Sequence, residues 1–67
     1  MSIRIDRVKL IAEMARQDMR VKELEEKSGV SCCTITAIRG GKPCREDIAA
    51  AICTALGVSL EEMKDGR

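Results

Sequence analysis

An all-α fold, a compact bundle of five short helices, is what this sequence predicts, and three observations predict it. Apolar residues recur at three- and four-residue spacing, the repeat of a helix with one buried face. Glycine followed closely by serine separates those stretches twice, at 29–31 and 57–59, the order expected where one helix stops and the next is capped. The chain of 67 residues holds no Phe, Tyr or Trp. Its core must be built from Ile, Leu, Val, Met, Ala and Cys, which pack well between short helices. A chain this short buries only ~60% of its unfolded surface, so residues 1–67 make a single domain with a thin core.

The elements follow in order. Residues 1–4 are expected as a frayed lead-in. A first helix is predicted over 5–17: Val8, Ile11, Ala12 and Ala15 repeat at helical spacing, and Leu10 and Met14 widen the stripe. Gln17, Asp18 and Met19 form the link, with Met19 returning to the core. A second helix spans 21–28, with Val21 and Leu24 on one face and Lys22 and Glu26 paired on the wet side. Gly29 stops it, since glycine takes a left-handed exit without a Cβ penalty. Val30 plugs the corner, and the Ser31 hydroxyl caps a third helix by accepting from the amide of Cys33 or Thr34. That helix runs over 32–39. Ile35 and Ile38 point inward, which leaves Cys32, Cys33, Thr36 and Ala37 partly or wholly outward. Gly40, Gly41, Lys42 and Pro43 break it. The fourth helix is predicted over 45–56 on the stripe Ile48, Ala49, Ile52, Cys53 and Leu56. Gly57 ends it. Ser59, with Glu62 three residues on, caps a short fifth helix. Its Leu60 and Met63 pack back on the core or serve a dimer contact, and 64–67 are ragged.

Composition excludes several functions. The net charge is only +1, but its distribution is uneven: residues 1–45 carry ten Lys/Arg against six Asp/Glu, and 46–67 carry two against five. Between Ser31 and Arg45 stand three basic residues and no acidic one, a gradient that orients a weakly charged module toward phosphates. No aromatic platform exists for stacking single-stranded bases. The four cysteines include no CxxC pair and there is no histidine, so free thiols in the reducing cytoplasm are expected, with no metal and no other cofactor. The longest apolar run falls far short of the roughly 18 residues a membrane span requires. Enzyme readings fare badly. No histidine serves as a base, no glycine-rich phosphate cradle appears, and Ser31 has no base partner. Nothing announces a small-molecule ligand.

The informative piece is the unit over 21–39: helix, Gly29-Val30-Ser31, helix. Two short helices joined by about three residues are the connection of a helix-turn-helix, which sets its second helix across the first and into a major groove. The wider strings VKELEEKSGVSCCTITAIRGGK and IAAAICTALGVSLEEM resemble the Cro/C1-type helix-turn-helix family, also called the Xre family, from about Leu10 to Met63. The resemblance implies a five-helix, lambda-repressor-like fold. It also implies a homodimer on a near-palindromic operator in double-stranded DNA and a role as a transcriptional repressor or regulator.

Carried across residue by residue, the family's base-reading positions fall on Cys32, Cys33, Thr36 and Ala37, and its phosphate-contacting region after the third helix falls on Gly41 and Lys42. The chain departs from the family where Val21 replaces a common Gln and Arg39 a common Glu. None of the four reading positions holds Arg, Lys, Gln or Asn, the residues that make bidentate contacts to base edges. Modest direct readout is therefore expected, with more left to DNA shape. Arg39 and Lys42 flank the glycine breaker and read as phosphate clamps, with Arg20, Lys22 and Arg45 as further contacts. The alternative function is a helical protein-interaction module that keeps the fold without the DNA.

Overall fold

The computed structural model describes residues 2–64. Five helices are present: α1 (Arg7–Arg16), α2 (Val21–Ser28), α3 (Cys32–Arg39), α4 (Glu46–Leu56) and α5 (Leu60–Met63). Two two-residue strands, β1 (Ser2–Ile3) and β2 (Cys44–Arg45), pair antiparallel, with Ser2 opposite Arg45 and Ile3 opposite Cys44. The lead-in expected to fray is thus tied down over Ser2 and Ile3. At the other end Lys64, expected in a ragged tail, bridges to Ile5. Residues 1 and 65–67 of the expected ragged ends lie outside the described residues.

The bundle starts later than the apolar spacing suggests. Asp6 caps α1, its carboxylate accepting the amides of Val8 and Lys9 at 3.0 and 3.3 Å. Ile5 is therefore extended rather than helical and is buried in the core. The rotation of α1 also corrects the sequence reading. Leu10 and Met14 are the inward residues, whereas Val8 is 69% and Ile11 42% exposed. Two tertiary hydrogen bonds hold this setting: Lys9 Nζ donates to the Glu62 carbonyl at 3.1 Å, and Gln17 Nε2 donates to the Leu56 carbonyl at 2.7 Å.

The corner between α2 and α3 forms as its residue types dictate. Gly29 has φ 76°, the left-handed value that glycine adopts at little cost. Val30 packs against the core. Ser31 caps α3 by accepting the Thr34 amide at 3.3 Å. The Glu25 carboxylate reaches across and accepts the Cys32 amide at 2.8 Å, meeting a second orphan donor of α3.

One core joins all the helices. Leu10 of α1, Leu24 of α2, Ile35 and Ile38 of α3, and Ala49 and Ile52 of α4 are sealed from solvent. Met19 returns to this core, as its place in the link predicts. Helix α4 buries Ala49, Ile52, Cys53 and Leu56 and half-buries Ile48. It starts at Glu46 because Arg45 is taken by the β2 pairing. Met63 is buried and Leu60 packs on the core, so the apolar side of α5 closes the monomer. The expected Lys22–Glu26 pair is not formed; among the described residues the one ion pair joins Arg16 to Glu13.

Candidate nucleic-acid interface

Helix α3 presents a solvent-exposed face among the described residues. Cys32, Cys33 and Thr36 are exposed, and Ala37 is half-buried at their edge. On the opposite side Ile35 and Ile38 are fully buried and anchor the helix. At 100° per residue, Ala37 and Arg39 flank opposite edges of the exposed sector. The surface between them carries one hydroxyl, two thiols and small apolar groups, with no charge.

Cationic residues gather beside both edges. On the Ala37 side, an open groove between α3 and the start of α4 brings Cys33 and Ala37 together with Lys42 and Arg45. Lys42 and Arg45 are exposed. On the other side, a second groove brings Arg39 together with Arg20 and Val21 at the start of α2, over Met14 and Met19. Arg39 is half-buried there, and its Nε is enclosed with no hydrogen-bond partner among the described residues. A guanidinium donor left in that condition is costly unless an acceptor arrives. Lys22 is exposed on α2 but lines neither groove. Gly41, at φ 97°, shapes the α3–α4 loop that carries Lys42.

The starts of α2 and α4 are unusual in this chain. Helices α1, α3 and α5 begin on Asp6, Ser31 and Ser59, each accepting from the helix amides. Helices α2 and α4 begin on Arg20 and Arg45, whose side chains have no acceptor to offer. At α2 the Glu23 carboxylate accepts only the Arg20 amide, at 3.4 Å. The first turn of α2 thus receives no cap from the Arg20 side chain, and Arg20 and Val21 share a groove with Arg39, an arrangement that suits an anion.

The sequence reading missed two further cations. The β1–β2 pairing brings the N-terminal segment alongside the loop after α3. A Cβ built on Gly41 would lie 3.9 Å from Arg7 Cδ, so the Arg7 side chain runs along the loop beside Lys42. Arg4 follows directly after the strand that pairs with Cys44 and Arg45. Both arginines are exposed. Their spacing in sequence carries no sign of this neighbourhood, because it depends on two-residue strands.

The thiols divide by position. Cys32 and Cys33 are exposed and free, while Cys44 and Cys53 are free and buried. Burial pushes the Cys44 and Cys53 thiols above the ordinary range. The Glu25 carboxylate, with the neighbouring Cys33 second, raises Cys32 as well. A helix start would by itself lower it; here the nearby negative charge outweighs that.

No group of three or more metal-ligating side chains occurs among the described residues, and no helix there is long and apolar enough to cross a membrane. Residues 9–64 match the family model described as Cro/C1-type HTH DNA-binding domain. No match is found among curated proteins or among solved structures.

Proposed function

This chain belongs to the Cro/C1-type HTH DNA-binding domain family, a non-catalytic DNA-binding module, and from that premise we propose that it is a sequence-specific transcriptional regulator, a repressor, with α3 in the major groove of double-stranded DNA. The observation that carries this reading is the exposed, uncharged face of α3 between two cationic clusters. In this reading Cys32, Cys33, Thr36 and Ala37 meet base edges. The Thr36 hydroxyl serves as donor or acceptor, and the methyls of Thr36 and Ala37 suit a thymine methyl. With no bidentate reader in the set, DNA shape carries much of the specificity.

Phosphates are held on both flanks. Lys42, Arg45 and the Gly41 loop take one strand. Arg39, Arg20 and the first turn of α2 take the other, with Lys22 at the periphery. A homodimer reads two half-sites of a near-palindromic operator, with its α3 helices about 34–36 Å apart. Each copy carries a single α3, so reading two half-sites takes two copies.

Selection of bound duplexes from a random pool, with K42A as control, tests the proposal. A consensus with two-fold symmetry supports it; no enrichment over the input pool rejects it. A second reading, a protein-interaction module, is favoured by the exposure of Val8 and Ile11 on α1. Salt separates the two, because DNA binding weakens steeply as salt rises.

A further inference from the structure

Helix α1 has a second apolar face, turned to solvent. Val8 and Ile11 are the two large hydrophobic residues exposed among the described residues, and both lie on α1. Ala12 and Ala15, also exposed, complete a stripe at i, i+3, i+4 and i+7. Such a stripe ordinarily packs on another helix, and inside the molecule Leu10 and Met14 already meet that need. One edge of the stripe, Ile11 and Ala15, walls the groove that holds Met14 and Met19 together with Arg20 and Arg39. We propose that this stripe and groove are the docking surface for an acidic amphipathic helix of another protein, and that docking displaces DNA from the α2–α3 flank.

Charge selects that partner. The groove is lined by two arginines and no acidic residue. Arg39 Nε is enclosed there without an acceptor. Arg7 stands on the same edge of α1, one turn before Ile11. None of these three arginines belongs to an ion pair among the described residues. At the opposite edge the charges are already engaged: Arg16 holds Glu13, and Lys9 donates to the Glu62 carbonyl. A partner therefore meets unspent positive charge along one side of an apolar seam. Glu or Asp beside an apolar stripe supplies the match, in the manner of a helix laid into a groove. The methionine floor adapts to varied apolar side chains. A second copy of this chain fits badly. An antiparallel two-fold pairing sets the Arg7 edge against itself, and a parallel one sets it against the edge with Lys9 and Arg16. Like charges meet in both.

The effect on DNA rests on the reading above, which gives Arg20 and Arg39 to phosphates. A carboxylate on either arginine removes a phosphate contact, and the partner's negative charge then stands against the DNA backbone. The reading face of α3 is left untouched, because Cys32, Cys33, Thr36 and Ala37 line no part of this groove. Docking itself stands on the α1 stripe and the groove alone.

The probe is a synthetic peptide of about 20 residues, long enough to hold a helix, with Leu at three- and four-residue spacing and Glu along both edges of that stripe. Its twin carries Gln for every Glu. Added to the intact chain, the acidic peptide should shift the amide signals of α1 and the Arg39 Nε–H signal in nitrogen–proton NMR spectra. The twin should bind about 10-fold more weakly. V8S and I11S, at exposed positions outside the DNA contacts, should each weaken the acidic peptide about 10-fold. An unchanged thermal melt verifies their fold, and the twin needs no variant. Equal affinity of the twin overturns the charge match. No shifts, shifts confined to the groove of Lys42 and Arg45, or full affinity in both variants overturns the surface. Binding to anionic phosphatidylglycerol vesicles that V8S and I11S abolish, without peptide binding, overturns it in favour of a membrane. Fluorescence anisotropy with a selected duplex reads the consequence. Release by the acidic peptide from the wild type, but not from I11S at the same concentration, supports it; a peptide-bound protein that keeps its duplex overturns it. A wild type that binds no duplex before addition sinks the DNA-binding reading and leaves the docking result standing.

Discussion

The Glu25 carboxylate, on α2, accepts the backbone amide of Cys32, the first residue of α3, at 2.8 Å. One side chain thereby caps a helix that is not its own and fixes the angle at which α3 leaves the turn. E25A should cost about 1 kcal/mol of stability, the usual loss when a helix-start acceptor is removed. It should also return the Cys32 pKa toward its ordinary value. E25Q keeps an acceptor but not the charge, so it should lower the Cys32 pKa with little loss of stability. Urea denaturation and thiol titration measure the two effects. An unchanged urea midpoint in E25A would show that the bond does not hold the corner.

Gly29 turns the chain at φ 76° with nothing within 4 Å of the place a Cβ would occupy. G29A therefore meets no neighbouring side chain, but it puts a Cβ into the left-handed region, a strain of about 1–2 kcal/mol. G29N should lose less, since Asn tolerates the left-handed region better. Equal urea midpoints for wild type and G29A would mean that the turn adopts another conformation.

The turn and α3 were legible because each carries a local chemical sign. Gly29 stops α2 and Ser31 caps α3, and Ile35 and Ile38 then turn inward as their spacing requires. The rotation of α1 was not legible, because the helix has two apolar stripes. Val8, Ile11, Ala12 and Ala15 satisfy the helical repeat, and so do Leu10 and Met14. Contacts from Lys9 to Glu62 and from Gln17 to Leu56 choose between them, and such distant partners leave no trace in local spacing. The same holds for Arg7, whose neighbourhood beside Gly41 depends on pairing between residues more than forty positions apart.

Phosphate contacts and base contacts should separate in their salt behaviour. R7A and K42A are expected to weaken all duplexes alike and to reduce the slope of log affinity against log salt by about 1 each. T36A should leave the slope unchanged and alter the preferred sequence. Affinities measured across a salt series on selected and scrambled duplexes make the distinction. An unchanged slope in R7A would remove the N-terminal segment from the interface.

Stability should fall in alkali, and the thiols should carry the change. The chain has no His and no Tyr to titrate alongside them. Burial raises Cys44 and Cys53, and the Glu25 charge raises Cys32. The folded chain thus holds these protons more tightly than the unfolded one. Their contribution is full below the ordinary thiol value of about 8.5 and is lost as pH rises through the higher folded values. Urea midpoints should hold steady up to about pH 8 and then decline. A midpoint that climbs through that window would reverse the assigned direction.

The bridge between Ile5 and Lys64 joins residues 59 positions apart in sequence, across all five helices. A chain emerging from the ribosome cannot make it until Lys64 has been added and has left the exit tunnel. Contacts of such long range form slowly, because the ends must first find each other. The nascent protein therefore passes through a stage in which the helices can associate while the clasp stands open, with Ile5 not yet covered from the far end.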